Sequence, residues 1–136
     1  MTKTLIQRLA FIVLIIAAGT QAVQAQETPD SLLGTFEGPL VIGRDNMNLA
    51  FTFSMSEGSY QAAITSGSMG IYGMPATLVE VNGLNVKIGL PRLDAEFTGT
   101  LRLDESGEKI LRIDGDWFQQ SEMVPVVLLP VESPAF

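Results

Sequence analysis

The stretch Met47-Asn48-Leu49-Ala50-Phe51-Thr52-Phe53-Ser54-Met55 alternates large apolar side chains with small or polar ones over nine positions. A period of two puts every second side chain on the same face of an extended chain, so this segment predicts a strand with one buried and one wet face. A helix, with its period of about 3.6, would scatter the same residues around its surface.

The same alternation runs outward in both directions. It predicts eight strands, at about 34–42, 47–55, 59–66, 75–82, 84–90, 94–103, 109–117 and 123–130. Asn82-Gly83 predicts a type I′ turn, which needs positive φ at both central positions, and sets Val79 opposite Val86 and Thr77 opposite Ile88. Gly43-Arg44-Asp45-Asn46 sets Leu40 opposite Leu49 and Gly38 opposite Phe51. Ser56-Glu57-Gly58-Ser59 sets Met55 opposite Tyr60 and Phe53 opposite Ala62. A five-residue loop from Asp104 to Glu108 sets Leu101 opposite Leu111, Gly99 opposite Ile113 and Phe97 opposite Gly115. Twice, then, a Phe is expected to face a Gly, a size match suited to the concave side of a curved sheet.

Antiparallel strands joined by short turns and sharing one apolar face must bury that face. The expectation is an all-β fold, an eight-stranded antiparallel up-and-down barrel of the lipocalin or calycin kind, with a two-sheet sandwich as the alternative. The long connection Gly67-Ser68-Met69-Gly70-Ile71-Tyr72-Gly73-Met74 reads as a Gly-rich loop. Its Met69, Ile71 and Tyr72 are the expected partner-contact residues.

Residues 1–25 read as a secretory signal peptide: Lys3 and Arg8, an apolar run from Leu9 to Ala18, and small residues leading to cleavage after Ala25. The run is too short for the roughly 18 residues that cross a bilayer, and no Cys follows it to carry a lipid. Residues 26–33 are expected to be a flexible lead-in, 34–131 the barrel domain and 132–136 a tail, with the product in the periplasm or outside the cell. Without Lys3 and Arg8 the chain keeps six basic against fifteen acidic residues, a net charge of −9. That balance disfavours nucleic acid and anionic membrane surfaces as partners. A membrane-embedded barrel is disfavoured by polar outward positions such as Asn48, Thr52, Gln61, Lys87 and Thr98.

The chain has no His and no Cys, which removes Ser-His-Asp and Cys-His catalysis and the common zinc sites. No glycine-rich phosphate loop opens a helix. The reading is a non-enzyme without a cofactor, a binding module for a protein or a small apolar ligand. Two alternatives accompany it: a lipocalin-like carrier of a lipophilic molecule and, more remotely, a carboxylate-only hydrolase. For a carrier, Phe51, Phe53, Val86, Phe97, Ile113 and Trp117 are the expected ligand-binding residues, with small inward residues at Ala62, Ala95, Gly99 and Gly115 leaving room. A protein-binding module instead predicts a filled interior and an apolar patch outside. Glu96 is expected opposite Asp116 with Asp114 two residues away, a weak candidate for a hard cation such as calcium. The plainer reading of the three carboxylates is solvated surface relaxed by Arg102 and Arg112.

Several phrases carry a resemblance: Gly34-Thr35-Phe36-Glu37-Gly38, Gly67 through Pro75, Phe97-Thr98-Gly99-Thr100-Leu101, and Gly115-Asp116-Trp117-Phe118-Gln119 with Val124-Pro125-Val126-Val127-Leu128. Together, over residues 34–131, they resemble a small β domain that precedes the catalytic part of some secreted bacterial α/β-hydrolases. Phe36 stands where that pattern has a Trp. The resemblance implies an accessory role, since the nucleophile, acid and histidine of such enzymes belong to the hydrolase domain and none carries over to this chain. Gly115-Asp116-Trp117 is also similar to the Gly-x-Trp of lipocalins.

Overall fold

Short turns and alternating faces dictate a meander, and the computed structural model, which describes residues 27–134, contains one. Its strands are β1 (Gly34–Ile42), β2 (Asp45–Ser56), β3 (Ser59–Ser66), β4 (Ile71–Pro75), β5 (Leu78–Asn82), β6 (Asn85–Leu90), β7 (Ala95–Leu103), β8 (Ile110–Gln119) and β9 (Glu122–Val131). They form one strongly curled antiparallel half-barrel sheet of nine strands in the order β4-β3-β2-β1-β9-β8-β7-β6-β5. Among the described residues the only helical turns are short 3-10 segments, at Asp30–Leu32, Gly67–Met69 and Pro91–Leu93. The expected signal peptide lies outside the described residues, as do the last two residues of the tail.

There are nine strands rather than eight because the expected fourth strand starts earlier and is broken. The Gly67–Met74 connection is not a loop throughout: its second half is β4, which pairs with β3 through Met74 and Pro75. At Ala76 and Thr77 the chain then changes partner. The Ala76 N–H donates to the Ala62 carbonyl of β3 at 2.9 Å, and the next one, of Thr77, donates to the Gly89 carbonyl of β6 at 3.1 Å. A bend at which a strand leaves one neighbour for another makes a corner in a curled sheet. The edges β4 and β5 therefore lie on consecutive pieces of chain.

The hairpin registers show which turns were legible. Met55 pairs with Tyr60 and Phe53 with Ala62, as expected, across a Glu57-Gly58 turn whose φ angles, 51° and 78°, suit type I′. The first hairpin closes through Gly43-Arg44 alone, so Leu40 pairs with Met47 and Gly38 with Leu49 instead of Phe51, whose partner is Phe36. The fifth turn is Gly83-Leu84 rather than Asn82-Gly83, which pairs Val79 with Ile88 and Val81 with Val86. In both turns Gly comes first and alone has positive φ, the position a type II′ turn reserves for it. A slip of two residues keeps every side chain on its face, so the buried set survives.

Between β7 and β8 a bulge intervenes: Arg102 pairs with Arg112 but Leu103 with Ile110. The extra residue leaves Leu111 exposed and gives its expected inner place to Ile110. Phe97 consequently pairs with Trp117, and Gly99 with Gly115. The Phe-on-Gly match appears on the diagonal, because a Cβ at Gly115 would come within 2.5 Å of the Phe97 ring.

The core is the inner face: Phe36, Leu40, Leu49, Phe51, Ile64, Ile88, Phe97, Leu101, Ile113, Trp117 and Leu128 are each no more than 1% exposed. Gly38 sits where β9 crosses β1, and a Cβ there would run into the Val127 carbonyl. The lead-in, expected to be flexible, is fastened to the half-barrel. Thr28 Oγ1 donates to the Gly83 carbonyl at 2.6 Å and Ser31 Oγ to the Glu108 carbonyl at 2.8 Å, while Leu32 is fully buried as a plug.

Candidate functional site

Phe51, Phe97, Ile113 and Trp117 have no exposed surface, and Phe53 and Val86 have 2%. The structure brings these side chains together as packing. The Phe51 and Phe97 ring centroids lie 5.2 Å apart, Phe51 and Phe53 6.4 Å, and Phe36 meets Phe53 edge-on at 6.0 Å. Trp117 donates its Nε1–H to Gln119 Oε1 at 3.2 Å, and Gln119 Nε2 donates to the Leu93 carbonyl at 2.8 Å. The only Trp is thus anchored at both its apolar and its polar ends.

Clefts lie on the surface instead. One of about 370 Å³ crosses the outer face of β5–β8 between Glu80, Lys87, Thr98 and Asp116. Another, about 530 Å³, lies at the seam where β5 leaves β3, between Tyr60, Ala62, Ala76 and Val79. A third, about 470 Å³, has Gly89 as its floor and Leu78 and Phe118 as walls. Of the expected ligand-binding residues only Val86 borders one of these, the first; Phe51, Phe53, Phe97, Ile113 and Trp117 border none.

The expected contact loop is only partly available. Tyr72 on β4 is 69% exposed, but Met69 and Ile71 are half-buried against the core. A single aromatic at a sheet edge is what remains of that surface.

The three carboxylates do not converge. The β7–β8 loop is one residue longer than expected, with Leu103 paired to Ile110, and the bulge adds a second residue of slip, so that Glu96 pairs with Phe118 and Asp116 with Thr98. Glu96 approaches Lys87 at 3.8 Å. Asp114 accepts hydrogen bonds from Arg112 Nε at 2.8 Å and Arg102 Nε at 3.0 Å. These two bonds, and behind them the two guanidinium charges, hold its carboxyl below the usual aspartate range. Arg102 and Arg112 face each other directly across the ladder, an arrangement that costs energy without the carboxylate between them. Among the described residues no cluster of acidic, His or Cys side chains is gathered to hold a metal ion.

The residues that sequence reading missed lie on β9. Its outward side chains are Met123, Pro125, Val127 and Leu129, with exposures of 67% for Met123, 45% for Val127 and 53% for Leu129. The exposed ring of Phe118 joins them, because Phe118 pairs with Met123. The outer face of β6, β7 and β8 is otherwise polar, with Asn85, Lys87, Glu96, Thr98, Asp114 and Asp116. The signal was available: from Met123 to Val131 the alternation stops and every residue is apolar or Pro. A run of that kind belongs to a strand covered on both faces.

The turn that presents this strand is strained. Gln120 and Ser121 both have left-handed backbone, φ 51° and 65°, a conformation costing a non-glycine residue roughly 1–2 kcal/mol. No family model, curated protein or solved structure matches the chain.

Proposed function

We propose that this chain is an exported, non-catalytic accessory domain that binds a protein surface through the outer face of β9. The observation that carries the reading is the pairing of a packed interior with an apolar outer strand. A carrier of lipophilic molecules would need Phe51, Phe97 and Ile113 to line empty space, whereas their side chains fill it. Exposed apolar side chains occur singly elsewhere on the sheet, whereas on β9 they run in a continuous row, which is the mark of a contact site.

The absence of His and Cys from the sequence, together with dispersed carboxylates, supports a role without covalent chemistry. The signal-like N-terminus supports the periplasm or the medium as its location, and the resemblance to hydrolase-associated β domains supports an accessory role. The half-barrel reads in finer detail as an up-and-down barrel whose seam is closed by the Ala76-Thr77 corner. A photo-crosslinking amino acid at Val127, in the chain exported by its own host, is expected to join covalently to polypeptide, while one at Thr98 is not. Failure of both positions to form any product would refute the reading.

A further inference from the structure

We infer that the occupant of the β9 face is a second copy of this chain, stacked on the first by a two-fold axis perpendicular to β9. The inference rests on the protein-binding reading above and names its partner. Three features of the fold lead to it.

The first is shape. The outer side of a strongly curled sheet is convex, and two convex surfaces touch along a line. The apolar row is one strand wide, Met123, Pro125, Val127 and Leu129, which fits such a contact. A flat or concave partner would also reach Asp114 and Asp116 on β8 and Glu37 on β1, which flank the row.

The second is charge order. Beside the apolar row, the outward residues of β8 are Arg112, Asp114 and Asp116, with Asp114 paired to Val127 and Asp116 to Pro125. Arg112, the next outward residue along β8, lies toward Leu129. A two-fold axis through the level of Val127 reverses the strand but keeps β8 over β8. It therefore places Pro125 over Leu129 of the other copy, Asp116 over Arg112, and Arg112 over Asp116. The two Asp114 carboxylates that meet at the centre are each already held by Arg102 and Arg112. A closed two-fold interface must be complementary to itself in this way.

The third is the turn. Gln120 and Ser121 hold β8 and β9 in register through left-handed backbone, and so project Phe118 and Met123 together at the end of the row.

A contact this narrow predicts weak, reversible association. Each copy carries a net charge of −9 without its first 25 residues, so salt should strengthen the dimer by screening repulsion between copies. Association with a basic partner would weaken instead.

Sedimentation velocity from 5 µM to 500 µM, at about 0.05 M and 0.5 M salt, tests this. The expected result is a monomer–dimer equilibrium, tighter several-fold at high salt and lost in Val127→Glu, with Gln61→Glu on the outer face of β3 behaving as the parent. Asp116→Arg should weaken the dimer about tenfold and Asp116→Arg with Arg112→Asp should restore it, each variant's thermal midpoint confirming its fold. A monomer throughout, or a dimer indifferent to Val127→Glu, overturns the second copy. A Val127 crosslink whose mass is not twice that of the chain also overturns it, while leaving the protein-binding reading intact.

Discussion

Gly115 has no side chain where the ring of Phe97 lies: a Cβ there would sit 2.5 Å from Phe97 Cζ and 2.5 Å from the Thr98 carbonyl oxygen. Gly99, its partner across the ladder, meets the same ring at 3.0 Å. Two glycines facing each other thus make the floor on which one aromatic ring packs, and that ring in turn meets Phe51 of β2 at a tilt of 41°. The concave side of the half-barrel is filled at this point by this arrangement.

Gly115→Ala should therefore destabilise the fold by about 1–3 kcal/mol through overpacking. Adding Phe97→Leu should recover part of the loss, because the two positions share one space. Urea denaturation of the single and double variants measures both values. Equal stability of parent and Gly115→Ala would show that the ring has room to move.

Asp114 links stability to pH. Its folded carboxyl titrates below the usual value, first through the hydrogen bond from Arg112 and then through that from Arg102. A lowered folded pKa means stabilisation that is present above the unfolded value, about 3.9, and that fades as pH falls through the folded one. Asp114→Asn should flatten the loss of stability below about pH 4. Some slope will remain, since Asp104 is also lowered, chiefly by the Ser106 hydroxyl. The variant should also become more salt-sensitive, as Arg102 and Arg112 are left facing each other. Thermal midpoints between pH 2 and 6 at two salt concentrations check both effects.

Much of the fold was legible because burial follows alternation and alternation tolerates a slip of two. Val79, Leu40 and Phe51 kept their faces although their partners changed. Exact pairs were less legible, since they depend on turn length: Gly43-Arg44 closes in two residues where four were expected, and nothing local announces the bulge at Leu111. That bulge, together with a β7–β8 loop one residue longer than expected, removed Glu96 from Asp116 and with it the cation candidate. The corner at Ala76-Thr77 depends on two partners distant in sequence, Ala62 and Gly89, so a single strand was expected there. The β9 face was illegible for a different reason: Val124, Val126 and Leu128 satisfy the inward pattern, and alternation alone does not say what covers Met123, Pro125, Val127 and Leu129.

The corner makes its own prediction. Thr77→Pro removes the N–H that reaches the Gly89 carbonyl, a loss of about 1 kcal/mol or more. Hydrogen exchange should accelerate in β5 and in the facing part of β6, with β8 and β9 unchanged. Uniform acceleration across the sheet would mean that the seam does not open separately.

The Gln120-Ser121 turn should be improvable. Ser121→Gly relieves one left-handed residue and should raise stability by about 0.5–1 kcal/mol. Equilibrium unfolding measures it. A loss of stability would mean that the turn is not strained.

Methyl-resolved NMR during titration with anilinonaphthalene sulfonate, a small fluorescent apolar probe, places the binding surface directly. The account predicts shifts at the methyl groups of Met123, Val127 and Leu129, with those of Val86, Leu101 and Ile113 unmoved. Saturable shifts at Val86, Leu101 and Ile113, with the β9 methyls silent, would contradict it.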